Sequence, residues 1–138
     1  MTPETMACIH ARAFAGQARA WSAAEFSALL DSPLSFVTGD ARSFAFGRAV
    51  ADEAELLTLA TDPSHRRRGH ARACLAAFET EARARGAETA FLEVAADNAP
   101  ALALYRAAGY LQIARRVAYY ARETAPAADA LILQKPLP

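Results

Sequence analysis

Two stretches of this chain carry residue types that could do chemistry. The first is Arg66-Arg67-Arg68-Gly69-His70-Ala71-Arg72, which follows the apolar run Leu56-Leu57-Thr58-Leu59-Ala60-Thr61. An apolar strand that enters an Arg- and Gly-rich turn and then opens a helix aims a row of backbone N–H groups at one spot, together with the positive end of a helix dipole. Such a spot binds phosphate. Cations at a helix N-terminus oppose the dipole, so a bound anion explains Arg66, Arg67 and Arg68 better than a solvated helix start does. The second stretch is Ala90-Phe91-Leu92-Glu93-Val94, an acidic residue inside a run apolar enough for a central strand, where charge is unusual. Burial raises a carboxylate's pKa toward neutrality and suits it to accept a proton. The plain alternative for Glu93 is an ion pair with Arg115 or Arg116. Tyr105 lies on the segment after Glu93, spaced with Leu102, and its plain alternative is ordinary helix packing. Two titratable groups of different strength beside one site are the pattern of an acid and a base.

The elements that must position these residues follow from periodicity and punctuation. Pro3 to Phe14 reads as a helix with Met6, Ile9, His10 and Phe14 on one face. Ser22 and Glu25 form a capping box for a second helix with Phe26, Leu29 and Leu30 as its apolar stripe, ended by Pro33. Leu34–Thr38, Ser43–Ala51 and Ala54–Thr61 read as strands, the first two joined by a hairpin-type turn at Gly39-Asp40 and the next two by Asp52-Glu53. The longest helix runs from Arg67 or Arg68 to Arg85, with Ala71, Leu75, Phe78 and Ala82 inward and Gly86 as its stop. Glu88–Val94 is a strand, Asp97 or Asn98 caps a helix ended by Gly109, and Leu111–Tyr119 and Ala128–Lys135 are final strands. The order α-α-β-β-β-α-β-α-β-β predicts one α/β domain over residues 1–138 on a mixed sheet, with the strands either side of the long helix as parallel neighbours.

Composition narrows the function classes. The 138 residues are 54% hydrophobic with a formal net charge of zero, enough for a sizeable core and no global field for nucleic acid or an anionic membrane. No apolar run approaches the roughly 18–20 residues that span a bilayer, and Met1-Thr2-Pro3-Glu4 lacks the features of a secretory signal. Cys8 and Cys74 show no metal spacing; both fall on apolar helix faces and are expected as buried free thiols, which fits a reduced bacterial cytoplasm. Arg66–Arg72 with Arg115–Arg116 would be the surface of an RNA-binding module, but zero net charge and the missing aromatic platform argue against it.

Arg66-Arg67-Arg68-Gly69-His70-Ala71 reads as Arg/Gln-x-x-Gly-x-Gly/Ala, after the central strand and opening the long helix, and so resembles the signature of the GNAT superfamily of acetyl-CoA-dependent N-acetyltransferases. Leu92-Glu93-Val94 with Asn98, Ala103-Leu104-Tyr105 with Gly109-Tyr110, then Arg115-Arg116 with Tyr119-Tyr120 and Asp129-Ala130 follow in the order of that family's RimI branch, with Trp21-Ser22 near the start. The resemblance covers roughly Trp21 to the end. It implies a GNAT fold: a mixed central sheet of about six strands flanked by four helices, the usual first strand absent or very short. It also implies acetyl transfer to a protein N-terminal amine, the alanine of a small-subunit ribosomal protein in that branch.

Transfer from a thioester to an amine needs a held coenzyme, a polarised carbonyl, a neutral amine and a protonated leaving thiolate. Backbone N–H groups from Arg67, Arg68, Gly69, His70, Ala71 and Arg72 would cradle the pyrophosphate, Gly69 allowing close approach and His70 standing where an apolar residue is common. The resemblance places pantetheine contacts on the strand edge at Leu59, Ala60 and Thr61, and another contact at Asn98, which is also a helix cap. Glu93 is the candidate base, directly or through water, and Tyr105 the candidate acid. Tyr119, Tyr120 and the Ala121–Ala127 segment are implied to line the acceptor groove, or else they cover the sheet edge. Ala95-Ala96-Asp97 departs from the Arg-containing segment of close relatives, which bears on the acceptor. The transfer is expected as direct attack in a ternary complex, without metal or covalent intermediate. The alternatives are a small amine or lysine acceptor on the same fold, or a non-catalytic acetyl-CoA-binding module; the latter needs neither Glu93 nor Tyr105.

Overall fold

The computed structural model describes residues 1–17, 19–122 and 124–138. Helix α1 (Pro3–Ala13) starts where Thr2 caps it, the hydroxyl accepting from Thr5 N at 3.1 Å, and buries Met6, Ile9 and His10. Helix α2 (Ala23–Leu30) has the capping box in full: Ser22 Oγ accepts from Glu25 N and Glu25 Oε1 accepts from Ser22 N. Strands β1 (Ser35–Asp40), β2 (Ser43–Val50) and β3 (Glu53–Thr61) form an antiparallel meander. Helix α3 (His70–Ala84) then crosses to β4 (Thr89–Ala95), helix α4 (Ala99–Ala107) follows, and β5 (Leu111–Tyr120) and β6 (Ala128–Pro136) close the sheet. The six strands lie in the order β1-β2-β3-β4-β6-β5, with β3 and β4 the parallel pair. Four helices flank this mixed sheet, as the GNAT resemblance implies.

The two sheet faces have separate cores. Phe78, Leu75 and Ala82 of α3 and Leu102 and Tyr105 of α4 pack on Leu56, Leu92 and Leu133 on one face. Met6 and Ile9 of α1 and Phe26 of α2 pack on Phe44, Phe46 and Ala60 on the other. Strand β3 feeds both and switches between them. Its register against β2 slips between Phe46 and Gly47, which oppose Thr58 and Leu56, so one extra β3 residue is inserted at Leu57. A bulge of one residue inverts the alternation beyond it. Leu57 accordingly packs with the α1–α2 cluster, while Leu59, two residues on, packs with the α3–α4 cluster.

Four sequence expectations need correction. The first hairpin turns at Ala41-Arg42, because β1 runs on to Asp40, whose carboxylate accepts from Arg42 N at 2.9 Å and ties the two-residue loop. Gly39, inside the strand at φ +98, is required by packing: a Cβ there would stand 2.2 Å from Ser43 O and 2.6 Å from Cys74 Sγ. Helix α3 begins at His70, after Arg67 (φ +64) and Gly69 (φ +79) have left the helical region. Cys74 is buried but Cys8 is exposed, lying two positions from Met6 and so on the outward side of α1. Glu93, the fourth, is taken up with the site. Among the described residues no helix is long and apolar enough to cross a membrane.

Candidate active site

The site opens where the parallel pair stops pairing. β3 and β4 stay in register from Glu53↔Thr89 to Leu56↔Leu92 and no further, although β3 continues along β2 to Thr61 and β4 along β6 to Ala95. The bulge at Leu57 sits at this parting. Beyond it, β3 residues 57–61 and β4 residues 93–95 face one another across a gap with backbone groups that no strand satisfies. Two cavities occupy the gap. One, of about 720 Å³, is lined by Leu59, Thr61, the Arg66–Arg72 turn and the α4 residues Pro100 and Leu104. The other, of about 160 Å³, lies between Leu57–Leu59, Glu93–Ala95 and the α1–α2 side at His10 and Trp21. Phe14, Gln17, Leu59, Asn98, Ala101 and Tyr105 line both, so the two are adjacent.

The Arg/Gly turn lines the larger cavity. The backbone is left-handed at Arg67 and again at Gly69, and Gly69 opens α3 without a side-chain cap. A Cβ at Gly69 would meet nothing within 4 Å, so the backbone there is open to a ligand. The turn is anchored from behind. Asp62 caps a short 3-10 turn (Pro63–His65), accepting from Ser64 N and Ser64 Oγ at 3.0 and 2.8 Å, and Arg12 of α1 donates to it at 2.8 Å. The two Ser64 bonds hold the Asp62 carboxyl below its ordinary range. Arg66 donates to Ala13 O at 3.0 Å, a second tie to α1.

Of the expected coenzyme residues, Leu59, Thr61, Arg67, Gly69, His70, Ala71, Arg72 and Asn98 line this cavity. Arg68 is exposed and does not, and Ala60 turns its methyl into the α1–α2 core, leaving only backbone toward the gap. His70 is half-buried, edge-on to His65 at 5.9 Å, rather than simply exposed. Asn98 caps α4, its Oδ1 accepting from Ala101 N at 3.3 Å, while lining both cavities. Its two readings are compatible.

Glu93 alternates with buried Leu92 and Val94 and so points to the opposite face, into the smaller cavity. That face of β4 is only half covered, since α1 and α2 lie over β1–β3. Its side chain therefore keeps 24% exposure and reaches across β6 to Arg116, Oε1 to Nη1 3.3 Å. The deep burial expected for Glu93 is thus partial, and the ion pair weighed as its alternative is formed. Tyr105 is 7% exposed and lines both cavities. Burial, with a smaller contribution from Tyr120, pushes its hydroxyl well above the ordinary tyrosine range, so it stays protonated at neutral pH.

At the far side, β5 carries a bulge between Arg116 and Tyr120, where Asp129 accepts from Ala118 N at 2.8 Å and from Arg115 Nε. The bulge sends Tyr119 outward, half exposed, and turns Tyr120 into the smaller cavity. Arg122 lines that cavity too and donates to Asp97 at 2.9 Å; Glu123 of the expected groove segment lies outside the described residues. Cys74 is remote from this chemistry, its Sγ donating to Ser43 O at 3.1 Å.

Two features of the site were not legible as such in the sequence: the anchor of the turn, and the pair His10 and Trp21. Asp62-Pro63-Ser64 carries the turn-capping pattern that anchors the phosphate turn. His10 and Trp21 line the smaller cavity; the visible signal was a histidine on the apolar stripe of α1. His10 is 3% exposed, stacked on Phe14 at 4.5 Å and Trp21 at 5.2 Å, and its Nδ1 accepts from Trp21 N at 3.2 Å. Burial first, then the charge of Arg19, lowers its pKa to about 4 against the opposing effect of Glu25.

Comparison with known proteins agrees with this geometry. The chain is 39% identical over 99 residues to the ribosomal protein bS18-alanine N-acetyltransferase of Escherichia coli K12, across 72% of this chain and 66% of that protein, just under two thirds of its length. A crystal structure of the ribosomal-protein-S18-alanine N-acetyltransferase from Escherichia coli superposes with a TM-score of 0.86 at 33% identity, over 98% of this chain and 87% of that one. Ard1 from Thermoplasma volcanium superposes with a TM-score of 0.82 at 22% identity, over 100% of this chain and 95% of that one, a likeness of fold. The model of the acetyltransferase (GNAT) family matches residues 9–110, over the turn, the splayed strands and the lining of the larger cavity, and the chain belongs to that family.

Proposed function

We propose that this chain transfers an acetyl group from acetyl-CoA to the α-amine of a protein N-terminus, the alanine of a small-subunit ribosomal protein being the acceptor its relatives suggest. The observation that carries the reading is the meeting of two cavities at one splayed strand pair. An anion-binding turn closes the larger, a carboxylate lines the smaller, and a protonated tyrosine lies at their junction. The larger cavity takes the coenzyme, with the diphosphate on the Arg67–Arg72 N–H groups and the pantetheine arm along residues 59–61 of β3. The smaller takes the acceptor.

In this reading a backbone N–H of β3 donates to the thioester oxygen as negative charge develops on it. Glu93 accepts the amine proton, directly or through one water, as the N–C bond forms. Tyr105 gives its proton to the sulfur as the C–S bond breaks. The two protons balance, and no group of the protein is acylated. Asn98 and Ala101 hold the junction between the cavities, and Tyr120 with Arg122 walls the acceptor side. The 138 residues act as one domain, and a ribosomal acceptor places the reaction in the cytoplasm.

Thiol release from acetyl-CoA over a panel of amines tests this: hexapeptides with free Ala, Met or Ser ends, N-blocked lysine peptides and polyamines. Turnover concentrated on the free-Ala peptide is the expected result. Turnover only on lysine peptides or polyamines keeps the chemistry and discards the acceptor. Tight acetyl-CoA binding without turnover on any amine makes the chain a binding module.

A further inference from the structure

His10 is a buried titratable side chain in the smaller cavity that the transfer chemistry leaves unused. It is held unusually firmly for a ring at a cavity wall. Phe14 and Trp21 stack against it at interplanar angles of 30° and 24°, and Phe26 meets it edge-on at 5.8 Å. The bond from Trp21 N–H to Nδ1 fixes its chemistry as well as its orientation. In a neutral imidazole one nitrogen accepts and the other donates; with the Nδ1 lone pair occupied, the hydrogen sits on Nε2. Nε2 forms no hydrogen bond with the described residues, and the ring lines the cavity. A base it cannot be, since its one lone pair is taken. It is a fixed donor on a ring that lines the smaller cavity.

The charged groups around this cavity and Asn98 are committed, while the hydroxyls of Thr58, Tyr105 and Tyr120 also line it. Arg19 is bidentate on Glu25 at 2.6 and 2.8 Å, Arg122 donates to Asp97, Glu93 pairs with Arg116, and Asn98 caps α4. The charged groups nearest His10 are Arg19 and Glu25, which bond each other and leave the ring neutral; its lowered pKa agrees. A cavity of about 160 Å³ holds only a small end, much as an engineered void of about 150 Å³ holds benzene. Within that space the acceptor nitrogen must lie at Glu93. What distinguishes an α-amine from a lysine ε-amine there is the carbonyl group, one carbon beyond the amine-bearing carbon in a peptide and replaced by methylenes in lysine.

We infer that His10 Nε2–H donates to the carbonyl oxygen of the acceptor's first residue and thereby selects α-amines over side-chain amines. This rests on the smaller cavity being the acceptor site. An acceptor lacking that carbonyl leaves a nearly buried N–H without a partner, a mismatch that discriminates far more sharply than a difference in apolar contact.

The test compares a free-Ala hexapeptide with the same peptide whose first amide is replaced by a trans-alkene, which keeps the shape and removes the oxygen. The readout is the ratio of their kcat/KM values in wild type, His10→Asn and His10→Gln. Asn places an oxygen near the position of Nδ1 and can keep the Trp21 bond without the outer donor; Gln carries its amide to the position of Nε2. Wild type should prefer the amide by about ten-fold or more. His10→Asn should bring that ratio near one, and His10→Gln should restore part of it. A wild-type ratio near one overturns the inference whether or not either variant folds. So does a His10→Asn ratio equal to wild type, including the case in which both acceptors slow together, which is the mark of a purely structural role. Turnover of lysine peptides with neither hexapeptide accepted would instead refute the N-terminal acceptor itself.

Discussion

Replacing Glu93 by Gln removes a proton acceptor while conserving shape, and the structure separates its two consequences. The ion pair lost is Glu93 Oε1 with Arg116 Nη1 at 3.3 Å, with Arg116 52% exposed. Pairs this open contribute under about 1 kcal/mol, and the amide can still hydrogen-bond the guanidinium. Stability should therefore fall by less than about 1 kcal/mol, a drop in Tm of roughly 2–5 °C for a domain of this size. Acetyl-CoA affinity should hold, because the carboxylate lines only the smaller cavity. Turnover should fall by about 10²–10³, the range of general-base catalysis, which corresponds to roughly 2.7–4 kcal/mol of barrier. The assay is thiol release with saturating acetyl-CoA and a free-Ala peptide, beside calorimetry for acetyl-CoA and a thermal melt. Turnover within a few-fold of wild type would remove Glu93 as base and leave it the partner of Arg116. A melt falling by tens of degrees would show that the pair is structural and refute the separation made here.

Tyr105→Phe should lower kcat more than it changes KM, since the hydroxyl lies at the junction of the two cavities and burial keeps it protonated; a pure rise in KM, measured by steady-state kinetics, would make Tyr105 a binding residue only. Gly69→Val should weaken acetyl-CoA binding by ten-fold or more on calorimetry, because its Cβ would point into open ligand space from a φ of +79; unchanged affinity would sink the phosphate-turn reading. His10, whose pKa is lowered to about 4 from 6.5, contributes stability that is fully present above pH 6.5 and is lost as pH falls through 4. Chemical denaturation across pH 4–7 should therefore show a decline in wild type, on the order of 3 kcal/mol, that is flattened in His10→Asn; parallel profiles would show that His10 does not titrate between the folded and unfolded states.

Much of this architecture could be read in the residues. Ser22 and Glu25 announce a capping box that forms, Gly86 and Gly109 end helices where expected, and the Arg66–Ala71 pattern lies on the turn that lines the larger cavity. What periodicity missed depends on long-range packing. Glu93 lies in an apolar strand, but whether both faces of that strand are covered depends on how far α1 and α2 extend over the sheet, and they stop at β3. Cys8 was placed by the apolar character of its helix when its angular position decided its exposure. Tyr119 and Tyr120 are adjacent in sequence and were treated alike, yet a bulge pinned by Asp129 sends them to different places. Nothing local in Val117-Ala118-Tyr119 marks that bulge; its cause is a carboxylate eleven residues downstream of Ala118.

The bulge at Leu57 has a comparable effect on the whole site. Without it, Leu57 and Leu59 would share a face, and β3 could continue alongside β4 past Leu56↔Leu92 as a closed parallel pair. With it, the strand twists away, and residues 57–61 keep their pairing to β2 while losing a partner on the other side. An open strand edge in the middle of a sheet is normally a liability, since unpaired N–H and C=O groups invite another chain. Here Phe14, just after α1, and Ala101 of α4 stand at the opening. The pantetheine portion of coenzyme A has two amide groups spaced to use such an edge, and binding it would complete the pairing that the bulge interrupts. One inserted residue thus divides the sheet, and on the function proposed above the coenzyme would lie along the edge it opens, with Glu93 on the facing strand.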